Sequence, residues 1–244
     1  MNTISAASAA VTGARHLKLA RNGQDAAASW VGEGAGAVVV CDGCGSGASS
    51  EVGARLGAQL VIGAIAARLT RGERPGELWD GVRAEVVAVL GRLADALPGD
   101  RAAAIHGHLL FTVVAAAVAG DQVGVWAIGD GAYALGDRVQ VLGPFADNQP
   151  PYLGYDLLGA PERAHVAAGD ARVGSVMVAT DGAAELDLAG VTDDRTLAHP
   201  DGLRRRLAVL ARGGERIDWD ARRIVRTPAA LQDDAAIAVL RWWP

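Results

Sequence analysis

Three apolar runs in this sequence finish on the same dipeptide. Val38-Val39-Val40-Cys41 leads into Asp42-Gly43, Trp126-Ala127-Ile128-Gly129 into Asp130-Gly131, and Val178-Ala179-Thr180 into Asp181-Gly182. Each run has strand length and delivers a carboxylate to its end, where glycine lets the chain turn sharply. Two more acidic positions stand just ahead of apolar runs: Asp25 before residues 26–31, and Asp233-Asp234 before residues 235–242. In an antiparallel sheet the start of one strand lies beside the end of its neighbour, so these aspartates can gather at one edge. Clustered carboxylates repel and raise one another's pKa unless cations neutralise them. Oxygen-only ligands suit hard ions such as Mg²⁺ or Mn²⁺ and do not favour zinc. A single Asp-Gly marks a turn. Three strand-terminal copies plus two strand-initial aspartates point to a metal centre.

Strands must carry these groups. Besides 37–41, 123–128 and 175–180, residues 109–118 and 235–242 are Val-, Ile- and Ala-rich runs of strand length. Gly120-Asp121 and Gly136-Asp137 punctuate neighbouring runs as hairpin turns. Helices are expected over 51–69, with Ser49 or Ser50 as cap, and over 77–97, where Leu78, Val82, Val86, Val89 or Leu90, Leu93 and Leu97 form one stripe. Residues 203–211 and 219–225 are weaker helix candidates. Tight turns imply antiparallel pairing, and helices grouped in blocks imply layers outside a sheet. Residues 143–161 break the regularity with prolines, two tyrosines and Asp147-Asn148; a long loop inside a domain is usually functional. The organisation expected is a flexible tail over 1–12 and a single domain over 13–244.

The chain has 244 residues, half of them apolar, and a formal net charge of −5. Its basic residues are dispersed, which argues against a nucleic-acid surface. The N-terminus lacks a signal-peptide pattern, and no uninterrupted apolar run reaches the ~18 residues of a membrane span. The only cysteines, Cys41 and Cys44, form a lone CxxC: half a zinc site, a redox pair, or buried packing residues. Packing is the preferred reading, and two cysteines with no disulfide framework fit a reducing cytosol.

In order along the chain these motifs resemble those of the metal-dependent serine/threonine protein phosphatases, the type-2C or PPM family, in its divergent bacterial branch. Asn22-Gly23-Gln24-Asp25 is similar to the family's Asn-Glu/Gln-Asp element with one residue inserted. Asp42-Gly43-Cys44-Gly45-Ser46-Gly47 resembles its Asp-Gly-x-Gly-Gly loop, followed by Ser50-Glu51 at the helix start. Gly129-Asp130-Gly131-Ala132-Tyr133, Thr180-Asp181-Gly182 and Asp233-Asp234 resemble its later elements.

The resemblance implies an α+β fold, a four-layer α-β-β-α sandwich of two antiparallel sheets flanked by helices. It implies two core Mn²⁺ or Mg²⁺ ions and a third, weaker one. Asp42 would bridge the core pair, the Gly43 carbonyl would bind one ion, and Asp181 and Asp233 would complete the second. Asp25 and Gln24 would hold metal-bound waters, and Asp130 the third ion. Asp42 and Asp25 are thus the catalytic positions, and 143–161 falls where the family has a flap. The reaction implied is hydrolysis of phosphoserine or phosphothreonine in proteins by a metal-bridged water. A serine/threonine kinase would supply the substrate. A cytoplasmic monomer that binds neither nucleic acid nor membrane is expected.

The sequence also departs from the family. Its usual phosphate-holding arginine is not in register, leaving Arg21, Arg15 and His16 as weak candidates. Gly131-Ala132 replaces Ser-Arg, and Phe111-Thr112 stands in place of Gly-Thr-Thr. Cys44 occupies a position where some relatives carry histidine; nearby carboxylates are expected to raise its pKa and make it a poor acid. Two other functions stay open: a small-phosphoester phosphatase, and a non-catalytic phosphoprotein-binding module of the same fold.

Overall fold

The computed structural model describes residues 3–184, 186 and 193–243. Its strands are β1 (Thr3–Val11), β2 (Asp25–Gly32), β3 (Ala35–Gly43), β4 (Phe111–Ala119), β5 (Gln122–Ile128), β6 (Gly131–Leu135), β7 (Arg138–Leu142), β8 (His165–Asp170), β9 (Ser175–Ala179), β10 (Gly214–Asp218), β11 (Arg223–Thr227) and β12 (Ala235–Trp243). The helices are α1 (Ala14–Lys18), α2 (Ser50–Thr70), α3 (Trp79–Ala96), α4 (Arg101–Ala104), α5 (Asp181–Ala184), α6 (Asp194–Leu197) and α7 (Gly202–Leu210). One five-stranded sheet runs β2-β3-β4-β5-β8 and a second β1-β12-β9-β6-β7, with antiparallel pairing throughout.

The central strands are apolar on both faces because both faces are covered. In β3, Ala37, Val39 and Cys41 pack under α2 and α3, while Val38 and Val40 pack against the second sheet. In β12, Ala236, Ala238 and Leu240 face the first sheet, and Ile237 and Val239 face Leu203 and Leu207 of α7. This is the expected four-layer sandwich. Helix α2 is by length and composition apolar enough to cross a membrane. Its Gly53, Ala54, Gly57, Ala58, Val61 and Ile65 are instead buried in the fold, as in a core helix.

Several expectations change. Residues 3–11 are not a tail but edge strand β1, paired along its whole length with β12; alternate small apolar side chains give it a face to bury. Residues 219–225 are not helical. Ile217 pairs with Ile224 in the β10–β11 hairpin, where short segments with β-branched residues prefer extension. Strand β4 starts at Phe111, because residues 105–109 form a π-helical turn. Ser49 holds the N-cap position of α2 as expected, but its side chain makes no capping hydrogen bond; the Ser50 hydroxyl accepts from the Gln24 side-chain amide at 2.7 Å. Trp242 packs at the inter-sheet core.

Candidate metal centre

The two-residue period of the strands places the acids. Val38 and Val40 point between the sheets, so Asp42 does as well. Asp25 lies directly opposite Asp42 in the β2–β3 register. Val176 and Val178 carry the same parity to Thr180, and Ala236 and Ala238 carry it back to Asp234. Asp181 and Asp233 flank these buried positions at the open end of the sandwich. Glycine is required at 182: a Cβ there would sit 2.1 Å from the Asp234 carbonyl oxygen. At Gly131 the backbone has φ +123, and a Cβ would lie 2.6 Å from the Ala179 carbonyl oxygen.

The result is a cleft of about 580 Å³ lined by Asp25, Asp42, Gly43, Asp130, Asp181 and Asp233, with Gln24 and Asp234 behind them. Burial pushes Asp25 from 3.8 to about 7, against bonds from Asp42 and Thr180 that favour its charge. Burial, then the charge of Asp25, hold Asp42 well above the usual carboxylate range. Burial and then the Asp181 charge raise Asp130 to about 6. The Asp42 and Asp25 carboxyls share a hydrogen bond. Asp181 accepts from the Gly182 N–H at 2.6 Å, and Asp233 from the Asp234 N–H at 2.9 Å. Among the described residues no arginine or lysine lines the cleft. These oxygen-only, mutually repelling donors fit divalent magnesium or manganese.

Two positioning residues carry roles that the motif reading did not assign. Thr180 donates its hydroxyl to Asp25 at 2.6 Å and accepts from the Ala236 N–H at 2.9 Å, joining the two sheets beneath the site. Asp234 is buried and accepts from the Gly13 N–H (2.8 Å) and the Gln24 N–H (2.7 Å), with His16 Nδ1 at 2.7 Å. The strand parity of Thr180 and Asp234 was the available signal. Asp234→Ala should destabilise the metal-free protein by about 1–3 kcal/mol, because it leaves buried donors unmatched. Exposed Asp233→Ala should cost about 0.5 kcal/mol or less. Urea unfolding in chelator checks the difference; equal losses would refute the buried-hub role.

Other expected site residues lie elsewhere. Arg21 and Arg15 are exposed and do not line the cleft, and His16 is turned onto Asp234. Their segment is held on Asp234 and on the Leu231 and Gln232 carbonyls, which fixes it beside the cleft and not over it. His16, Asp233 and Asp234 do bring ligand atoms within 4.8 Å of one another. Both cysteines are free and buried. The expected upward shift of Cys44 is reversed. Burial pushes its thiol up, but bonds from the Ser46 and Tyr152 hydroxyls and the Ser46 and Gly47 N–H groups bring it below an ordinary thiol. The loop over 143–161 flanks the cleft as expected, contributing Asp147, Asn148, Tyr152 and Tyr155 to its lining.

With this arrangement in place, the comparisons with known proteins are decisive. Residues 12–216 match the sequence profile of protein phosphatase 2C. The chain belongs to the protein phosphatase 2C family. Among solved structures the phosphatase fold superposes on the catalytic domain of serine/threonine protein phosphatase PstP in complex with two manganese ions, with a TM-score of 0.61, 16% identity and 100% of both chains covered. Stp1 from Staphylococcus aureus aligns at 0.61 and 14% identity over 98% of this chain and 95% of its own. PppA from Pseudomonas aeruginosa, described as a key regulatory component of T6SS, aligns at 0.60 and 17% identity over both full chains. At such identities the likeness is one of fold. A search of curated protein sequences gave no match.

Proposed function

We propose that this protein is a metal-dependent phosphatase acting on phosphoserine and phosphothreonine in proteins. One observation carries the reading: Asp25, Asp42, Asp130, Asp181 and Asp233, from both sheets, line one cleft that has no arginine or lysine among its described lining residues. Asp42 would bridge two core ions, helped by the Gly43 carbonyl. Asp181 and Asp233 would hold the second, and Asp130 an outer third. Mn²⁺ or Mg²⁺ bound there would supply the acidity that makes water a nucleophile at neutral pH and the charge that stabilises phosphoryl oxygens.

The chain's own residues orient that chemistry. Thr180 donates to one oxygen of Asp25, and the Asp25 carboxyl also shares a hydrogen bond with Asp42, so the two contacts fix its orientation at the cleft. The Gln24 amide is anchored by Ser50, and its backbone N–H by Asp234, so the Asp25 segment is held from both sides. Tyr152 and Tyr155 form a T-shaped pair at the cleft wall, with ring centroids 5.6 Å apart. We place the protein in the cytoplasm as a monomer, opposing a serine/threonine kinase.

The test is phosphate release from a phosphopeptide and from an aryl phosphate, with Mn²⁺ and with excess chelator. Release that needs the metal and extends to the phosphopeptide is expected. Full activity in chelator would sink the mechanism. Aryl phosphate turnover alone would make it a small-phosphoester phosphatase, and no turnover with phosphopeptide binding a non-catalytic reader.

A further inference from the structure

An anionic substrate must be held in a cleft whose charged lining is acidic. Among the described lining residues the only basic side chain is His106. It is exposed on the π-helical turn Ile105–Leu109. Such turns are rare and recur at functional sites. This one is fastened to the loop that follows Asp42. The Ser49 N–H donates to the Gly107 carbonyl at 2.9 Å, and the Cys44 N–H to the Leu110 carbonyl at 3.0 Å. A Cβ on Gly47 would come within 3.1 Å of that Gly107 oxygen, so loop and turn are in close contact. Of the other side-chain donors on the cleft, the Gln24 amide is engaged with Ser50 and the Ser46 and Tyr152 hydroxyls with the Cys44 sulfur, while Asn148, Gln149 and Tyr155 belong to the flanking loop and bring no positive charge. The His106 ring has no hydrogen-bond partner among the described residues.

We infer that His106 is the phosphate-holding side chain of this cleft, donating a ring N–H to a phosphoryl oxygen of the substrate. The inference rests on the phosphatase reading and assigns the contact that Arg15, Arg21 and His16 do not reach. A neutral imidazole offers one ring N–H and a charged one offers two, so either form can donate. The braced turn holds this group at the rim of the same cleft that the strand-end carboxylates line.

Calorimetric titration of inorganic phosphate into Mn²⁺-loaded protein tests it without turnover. His106→Ala should weaken phosphate binding about tenfold or more, the scale of a hydrogen bond to a charged group. KM should rise on aryl phosphate and phosphopeptide alike, with Mn²⁺ affinity unchanged. His106→Gln, which keeps an N–H donor, should recover part of the loss. Unchanged phosphate affinity in His106→Ala overturns the assignment, as does a parent protein that binds no phosphate. A defect confined to the phosphopeptide would instead make His106 the donor to the leaving oxygen. Parallel loss of Mn²⁺ binding would make its role structural. If phosphate binding depends on His106 while the parent shows no turnover, the phosphatase reading fails and this assignment stands.

Discussion

Asp42→Ala is expected to abolish core metal binding and lower phosphate release by roughly a thousandfold or more, the scale seen when charge-organising groups at a transition state are removed. Asp42 ends β3 between the sheets, opposite Asp25, and within the influence of Asp181 and Asp130. Asp25, Asp181 and Asp130 all act on it, so under the proposed reading its loss removes the ligand shared by both core ions. Asp130 stands apart on the turn between β5 and β6 and is less buried, and its main acidic neighbour is Asp181. Asp130→Ala should keep the core ions and much of the activity. Calorimetric Mn²⁺ titration beside turnover separates the two. Equal metal binding by Asp42→Ala and the parent would refute the bridging role.

The metal-free protein should lose stability as pH rises from about 4 to 7. Asp25 moves from 3.8 to about 7 on folding, so between those values the folded chain holds a proton that the unfolded chain has released. Stability falls wherever the folded state binds more protons, and it is greatest below the unfolded value. A change of that size corresponds to on the order of 4 kcal/mol. Asp42 and Asp130 shift in the same direction. Tm should therefore drop by roughly 10 °C across that interval in chelator. Saturating Mn²⁺ should remove the drop, and Asp25→Asn, which still accepts from Thr180, should flatten much of it. A metal-free Tm that is constant or rises over this range would contradict the burial of paired carboxylates.

Much of this centre was legible because strand ends are legible. Short Val- and Ala-rich runs, each closed by Asp-Gly, gave β3, β5 and β9 and the acids that leave them. Patterns with weak periodicity were harder. Small residues in 3–11 resemble a tail until the partner strand β12 is known, since pairing and not propensity makes them a strand. Residues 219–225 likewise depend on the hairpin partner that sets Ile224 beside Ile217. The division of labour in Asp233-Asp234 was hidden because the two lie in the bend before β12, one exposed and one buried. Cys44 misled because its acidic neighbours are visible in sequence, whereas the hydroxyl of Tyr152 reaches it only through the fold. His106 carried no motif at all; only the π-helical turn brings it to the cleft.

The loop beside the cleft has two unlike halves. Its second half is anchored: Asp156 receives both Nε and Nη2 of Arg83 from α3 at 2.7 Å, and Leu153 is buried in the helix-side core. Its first half holds exposed Asp147 and Asn148, both left-handed at φ +53, and is tied only by local turns. Asp and Asn tolerate that conformation better than bulkier residues do. The loop is therefore modular. Residues 145–149 are open to replacement by other sequences without disturbing Arg83, Asp156 or the strand-end acids. Descendants of this chain, or its engineers, have a short segment in which to change what the cleft accepts while the machinery beneath it stays as it is.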